Sequence, residues 1–530
     1  MTRWGQLMSV LAVALFGCSD RTVVDSGARE RVHVDPVPDH VDPYARPPGA
    51  HTSVVVAMNR AAPPPDTTQP GSGFTVSSPE ATRTANGYRI QFPTRSPVPT
   101  PVIHNGRLIV SGGFNSREIY AYEAKTGRAV WGQSLSDDGP SNAACEGELC
   151  VFNSESCTTF AVNAKTGKTI WAWWLGDPQT SAPTIANGLA FASYPAYQPP
   201  ATEQVELGTW SDPWGEPPPA QKAAATGTPS ATHALAAFDL ATGKPVWRRW
   251  LDGDVMSAPV AVDGFLYVST FGGSVLKLDQ KTGEIIYAVA MRATSAPVVV
   301  RDQGRESLFV TVRAEERRNE TREAIVRADL GATRRTFRAN AKAAPYLDGK
   351  VQRDTELAKA AQVDDSENGF STVPAAAGAT GAGAIVGVEA VSTMQRFQGS
   401  RVLVTADLVI STMGDEVIAV DRASGDVKWR HALTGSTSTE GGHLGTAPLL
   451  AGTEVVVATL AGNILRLEAA TGKLVAQYKA GMKLRSQPVV HEGWIYAGSE
   501  DGTLIAINTG NRALTGWPTW GGDSGRTAVR

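Results

Sequence analysis

The chain has 530 residues, with 49 Lys and Arg against 52 Asp and Glu, a formal net charge of −3, and 42% hydrophobic and 19% charged residues. That balance offers no basic footprint for nucleic acid or for an anionic membrane surface. Frequent Gly and Pro (53 and 33 residues) with modest charge favour many short strands joined by turns, and no internal segment reaches the about 18 apolar residues of a spanning helix.

The first element is the N-terminal run "MTRWGQLMSVLAVALFGCSD". A basic Arg3 precedes an apolar stretch from Leu7 to Phe16, the length of a signal h-region and too short for a mature span. Leu15-Phe16-Gly17-Cys18 resembles a bacterial lipobox, with Phe16 a less usual occupant. The resemblance implies residues 1–17 as a lipoprotein signal peptide and Cys18 as the lipidated residue, carrying the acyl chains that stable anchoring requires. An ordinary secretory signal with an incidental Cys18 is the alternative. Ser19 stands where enteric sorting uses Asp for inner-membrane retention, which favours the outer membrane. Residues 18–99 are polar, Pro-rich and without sustained period, and are expected to form a disordered, flexible tether.

From residue 100 the chain repeats itself. "SAPVAVDGFLYVSTFGGSVLKLDQKTGEIIY", Ser257 to Tyr287, reads as four short strands separated by turns at Asp263-Gly264, Gly272-Gly273 and Lys281-Thr282-Gly283. Four antiparallel strands per unit of about forty residues is the signature of a propeller blade. In the recurring D-x-x-T-G-x-x-x-W, Gly supplies φ > 0 at the turn, and the Asp or Asn bonds its own backbone two residues on. The aromatic position, Trp131, Trp171, Trp247, Tyr287 and Trp429, with Ala476 as the exception, reads as packing between blades. Units end near Trp131, Trp171, Trp247, Tyr287, Phe337, Trp429, Tyr478 and Trp517. The expected fold is all-β: an eight-bladed β-propeller of four-stranded antiparallel blades over residues 100–530, seven blades being possible if a degenerate unit is misread. Two insertions, at about 195–232 and 338–392, interrupt it, and the first should cap one face.

Blade two holds Cys145, Cys150 and Cys157. With Glu146-Gly147 as the hairpin turn, Cys145 faces Glu148 and Cys150 lies on a diagonal, within or near reach of a disulfide; Cys157 is then free. Their spacing matches no zinc pattern and no metal site is expected. "STSTEGGHLGTAP", Ser436 to Pro448, leads into the inner strand of blade seven. Glu440 and His443 there are candidate channel-mouth ligand contacts, against the plainer reading of His443 as a hydrogen-bonding loop residue. The hydroxyls that open inner strands (Thr100, Ser181, Ser257, Ser295, Thr446, Ser486) are expected to satisfy backbone groups.

The repeated A-x-D-x-x-T-G-x-x-x-W, with S-x-P-V opening the inner strand, resembles the pyrroloquinoline quinone (PQQ) type propeller repeat. The terminal "GWPTWGGDSGRT" resembles the segment found beside such repeats, and is expected to close the ring by pairing one terminus with the other. That family includes quinoprotein dehydrogenases and also outer-membrane assembly lipoproteins that bind no quinone, so fold alone does not choose. The dehydrogenases hold PQQ against a disulfide of adjacent cysteines, with Ca²⁺ bound by Glu, Asn and Asp and an Asp base. This chain has no Cys-Cys pair and no C-x-x-C-H for a c-type haem. The resemblance therefore implies a non-catalytic envelope lipoprotein, a monomeric scaffold binding other envelope proteins, with no catalytic residue and no cofactor. A PQQ- and Ca²⁺-dependent dehydrogenase of an alcohol or sugar, or a small-ligand sensor, is the alternative.

Overall fold

The computed structural model describes residues 61–62, 73–195, 233–340 and 400–527, apart from stretches at 155–157, 176–180, 252–254, 256, 271–273, 291–292, 294, 303–304, 318–319, 330–333, 413 and 437–442. The described residues form eight antiparallel sheets and no helix. Each sheet is a blade, and the count is eight, not seven. In blade 1 the strands run from innermost Val102–His104 through Arg107–Ser111 and Glu118–Glu123 to outermost Ala129–Ser134. Blades 2 to 7 repeat this order over 144–174, 184–251, 260–290, 298–340, 402–432 and 449–479. The second strands are nearly continuous apolar runs because both of their faces are covered.

The outer hairpin explains the repeated residues. In blade 3 the Asp239 carboxylate accepts the N–H of Thr242 at 2.8 Å and its hydroxyl at 2.6 Å, while Gly243 N–H closes on Asp239 O at 2.7 Å. Gly243 has φ +70, and a Cβ there would stand 2.6 Å from the ring of Trp171 in blade 2. The same seat recurs for Trp131 on Gly167. Each indole also donates Nε1–H to a carbonyl of the next blade: Trp131 to Ala164 O at 3.1 Å, Trp171 to Leu240 O at 2.8 Å, Trp247 to Gln280 O at 2.8 Å and Trp429 to Ala469 O at 2.9 Å. The glycine is thus needed twice, for its backbone angle and for the face it leaves open. Truncating one such buried Trp to Ala costs about 3–5 kcal/mol.

Opposite each of these aromatics the third strand carries Ala: Ala121 faces Trp131, Ala161 Trp171, Ala237 Trp247 and Ala419 Trp429. Blade 7 exchanges the sizes, with Arg466 facing Ala476. Arg466 fills the space, donates from Nε and Nη2 to the Glu454 carboxylate at 2.6 and 2.8 Å, and from Nη1 to Tyr478 Oη at 2.9 Å. The degenerate aromatic position is therefore a second packing solution.

Two sequence expectations are corrected. The ring closes in blade 8, whose inner strands Val489–His491, Trp494–Gly498 and Thr503–Asn508 come from the C-terminus. The fourth is Gly87–Gln91, followed outward by Ala81–Thr84. The range 74–91, expected within the 18–99 tether, therefore contributes three strands, Phe74–Thr75, Ala81–Thr84 and Gly87–Gln91. Tyr88 takes the place of the missing Trp: it faces Ala506, lies over Gly127 of blade 1 and donates Oη–H to Ala124 O at 2.6 Å. Trp517, expected to end the eighth blade, lies elsewhere. The N-terminal segment also adds to other rims. Phe74–Thr75 pairs with the outer strand of blade 1, and Ala61 bridges Arg249 in blade 3. Residues 1–60, with Cys18, and the two insertions, except 195 and 338–340 at the ends of blade 3 and blade 5 strands, lie outside the described residues.

Candidate functional site

In a propeller the innermost strands leave a row of backbone groups facing the axis, and the occupant of that channel decides what the ring can bind. Here the tail takes much of the row. Val490 N–H donates to Trp517 O at 2.7 Å, Ile103 N–H to Pro518 O at 2.6 Å, Ile185 N–H to Ser524 O at 3.0 Å and Ala261 N–H to Gly525 O at 2.8 Å. These are inner strands of blades 8, 1, 3 and 4. Residues 517–525 therefore form an arc along half of the channel wall, instead of the blade strand that the sequence suggested. A Cβ at Gly525 would fall 2.5 Å from Ala261 O, so only glycine allows this approach. Trp517 and Trp520 are buried, and Trp517 belongs to the apolar core shared with blades 6 to 8.

At the ends of the inner strands, hydroxyls and amides tie blade to blade. Thr100 Oγ1 donates to Gln487 O at 2.9 Å and Ser486 Oγ to Val98 O at 2.9 Å across the closing seam. Asn153 Nδ2 donates to Ser181 O at 2.5 Å, and Thr412 Oγ1 to Thr446 O at 2.6 Å. Other such bonds stay within one blade: Ser295 Oγ and Thr311 Oγ1 share a 2.7 Å bond. Thr446 Oγ1 accepts Ala458 N–H at 3.1 Å.

His443 is 2% exposed, and its Nδ1–H donates to Thr412 O at 2.8 Å, the carbonyl fixing the tautomer. Glu440 lies outside the described residues. In blade 2, Cys145 stands directly opposite Cys150, and Glu146 opposite Leu149. The turn is therefore Gly147-Glu148, one residue later than the sequence suggested, and it replaces the expected diagonal with a direct pair. The two are joined as a disulfide with Cα atoms 4.1 Å apart. Cys157 lies outside the described residues. Trp131, Trp171, Trp247 and Trp429 sit at blade seams, away from the channel, and Tyr287 is on the outer strand of blade 4 opposite Lys277.

Sequence reasoning missed a buried cation next to the arc. Arg526 is fully buried, and burial lowers its guanidinium to about 9 against the opposing pull of Asp523. Its Nε and Nη2 both donate to Pro183 O, at 3.1 and 2.9 Å. The terminal motif was the available signal, but nothing in its spelling says that the segment lines a channel. A quinone with Ca²⁺ would require convergent carboxylates beside a flat pocket. Among the described residues no three of His, Cys, Asp and Glu converge, and the arc covers inner edges of four blades.

A family model described as outer membrane protein assembly factor BamB matches residues 69–198, 200–318 and 413–521, well over half of the chain. No curated protein matches the sequence. Among solved structures, BamB from Moraxella catarrhalis aligns with a TM-score of 0.47 at 14% identity, over 80% of this chain and 97% of that one. Quinohemoprotein alcohol dehydrogenase from Comamonas testosteroni aligns with 0.49 at 13%, over 81% and 77%. Sqt1 from Saccharomyces cerevisiae aligns with 0.49 at 8%, over 82% and 99%.

Proposed function

The chain belongs to the outer membrane protein assembly factor BamB family, and from that premise we propose that it is a non-catalytic lipoprotein of the cell envelope that binds other envelope proteins as an assembly scaffold. Cys18 carries the lipid anchor in this reading, the following segment is the leash, and the outer membrane is the membrane concerned. Binding is by the rim, through strand addition. The observation that carries it is that this chain already docks extended segments on its own blade edges: Phe74–Thr75 on blade 1, Ala81–Thr84 on blade 8 and Ala61 on blade 3. Main-chain hydrogen bonds give such docking its affinity, and side chains in alternate positions give it selectivity. The outer strands of blades 2 and 7 offer the same kind of edge with apolar groups in solvent, Ile170 on one and Leu474 and Val475 on the other.

A photo-crosslinking residue placed at Ile170 or Val475 in the native envelope tests this. The expected result is a discrete adduct with a component of the outer-membrane assembly machinery, lost from the membrane fraction when Cys18→Ala removes the anchor. Absence of adducts at both edges, with the protein folded and exported, would overturn it. Titration of PQQ with Ca²⁺, followed by Trp fluorescence and melting temperature, is the complementary test. Saturable quenching with a raised Tm would sink the scaffold reading.

A further inference from the structure

The outer edges of the blades are not equivalent. The chain's own N-terminal residues pair with the outer strands of blades 1 and 8 and bridge that of blade 3. In blade 6 the outer cations are paired, Lys428 with Asp421 at 3.0 Å and Arg430 with Glu416 at 3.1 Å. Blade 7 differs from both cases. Its outer strand, Leu474–Lys479, ends its sheet, and no described residue pairs with its free side. Leu474 is 41% exposed and Val475 50%. Lys473 and Lys479, at the two ends, stand in solvent, and among the described residues neither ammonium has an ion-pair partner. The strand is firmly seated all the same: Tyr478 Oη accepts from Arg466 Nη1 at 2.9 Å, and Gln477 Nε2 donates to Asn463 Oδ1 at 2.9 Å.

Those features select an occupant. The lysines act against self-pairing, because a second copy laid antiparallel on this edge would bring Lys473 of one against Lys479 of the other. The same two charges favour a strand with carboxylates at its ends. Side-chain size sets the middle. Neighbouring strands here pair small with large: Ala121 faces Trp131 and Ala161 faces Trp171, and on the added strands Phe74 faces Ser134 and Ala81 faces Ile90. On the blade 7 edge the small residue is Ala476, partly exposed, so a bulky apolar side chain belongs opposite it. We propose that the outer edge of blade 7 is the docking edge for an antiparallel extended segment of a partner protein, apolar at its centre and acidic at both ends. This rests on the scaffold reading and narrows it to one of its two open edges.

The test uses the purified full chain and two labelled synthetic peptides of alternating Val and Thr around a central Phe, one ending in Glu on both sides and one in Lys. Binding is followed by fluorescence anisotropy. The Glu-ended peptide is expected to bind saturably, more weakly as salt is added, and about tenfold or more tighter than the Lys-ended one. Lys473→Glu with Lys479→Glu should exchange the two preferences, whereas Lys473→Arg with Lys479→Arg should keep the original one. Equal binding of the two peptides, binding of neither, or an unchanged preference in the Glu variant overturns the proposal. A wild-type dimer crosslinked through a photoreactive group at Val475 also overturns it, by giving the edge to a second copy. If the peptides fail while a crosslinker at Ile170 still captures a component of the assembly machinery, this edge is lost and the scaffold reading stands.

Discussion

Gly243 and Gly188 lie in the same blade with nearly the same backbone, φ +70 and +72, and differ in what a methyl group would meet. At Gly188 there is nothing within 4 Å; at Gly243 the Cβ would press on the Trp171 ring at 2.6 Å. Gly→Ala at either site incurs the left-handed penalty of about 1–2 kcal/mol. At Gly243 the ring must also withdraw. That strains a packed seam, at about 1–3 kcal/mol, and stretches the Trp171–Leu240 bond, worth about 1 kcal/mol. Gly243→Ala should therefore be less stable than Gly188→Ala by about 2–4 kcal/mol, a large share of the about 5–15 kcal/mol typical of a folded protein. Urea unfolding of both variants, read as midpoint shifts at a common slope, measures the difference. Equal shifts would refute the argument that the turn glycine is a seat for the neighbouring blade's Trp.

A chain starting at residue 61 should fold, whereas one starting at residue 100 should not give a monodisperse product by size exclusion, because it lacks the 87–91 strand and Tyr88. Arg466→Ala should cost about 3–5 kcal/mol, since it leaves Glu454 unpaired in a buried place. Adding Ala476→Trp should recover part of that in thermal unfolding by restoring the Ala–Trp arrangement of blades 1, 2, 3 and 6. Asp421 is held at about 2 by the N–H groups of Ser424 and Ala423 and by Lys428. Because its folded pKa lies below its unfolded value, its contribution is present above about pH 4 and is lost as pH falls toward 2. Asp421→Asn should flatten the acid limb of a stability–pH curve over that window, and an unchanged limb would count against the turn's role.

The blades were legible because their defining contacts are short-range. Asp239, Thr242 and Gly243 bond to one another within five residues, so their spelling survives in the sequence and repeats in register. The partner that closes the ring was less visible, since Tyr88 and Ala506 meet from opposite ends of the chain. A local cue did exist: Asn86-Gly87 followed by alternating Tyr88, Ile90 and Phe92 has the pattern of a hairpin and a half-buried strand. The Pro-rich flanks hid it. The arc was not legible at all. Its bonds go to the bare edges of other blades, and an edge-filling run of bends and turns has no period to betray it.

The order in which the chain is made gives the closing blade a further meaning. Gly87–Gln91 is synthesised more than 400 residues ahead of its partner strand Thr503–Asn508. Pairing over such a separation is slow, because most of the chain must be delivered before the contact rewards the closure. Any product cut short of residue 508 keeps an open seam and an orphaned 87–91 strand, a ready target for proteases. The ring thereby tests each copy: only a chain that reaches residue 508 can bury the 87–91 strand.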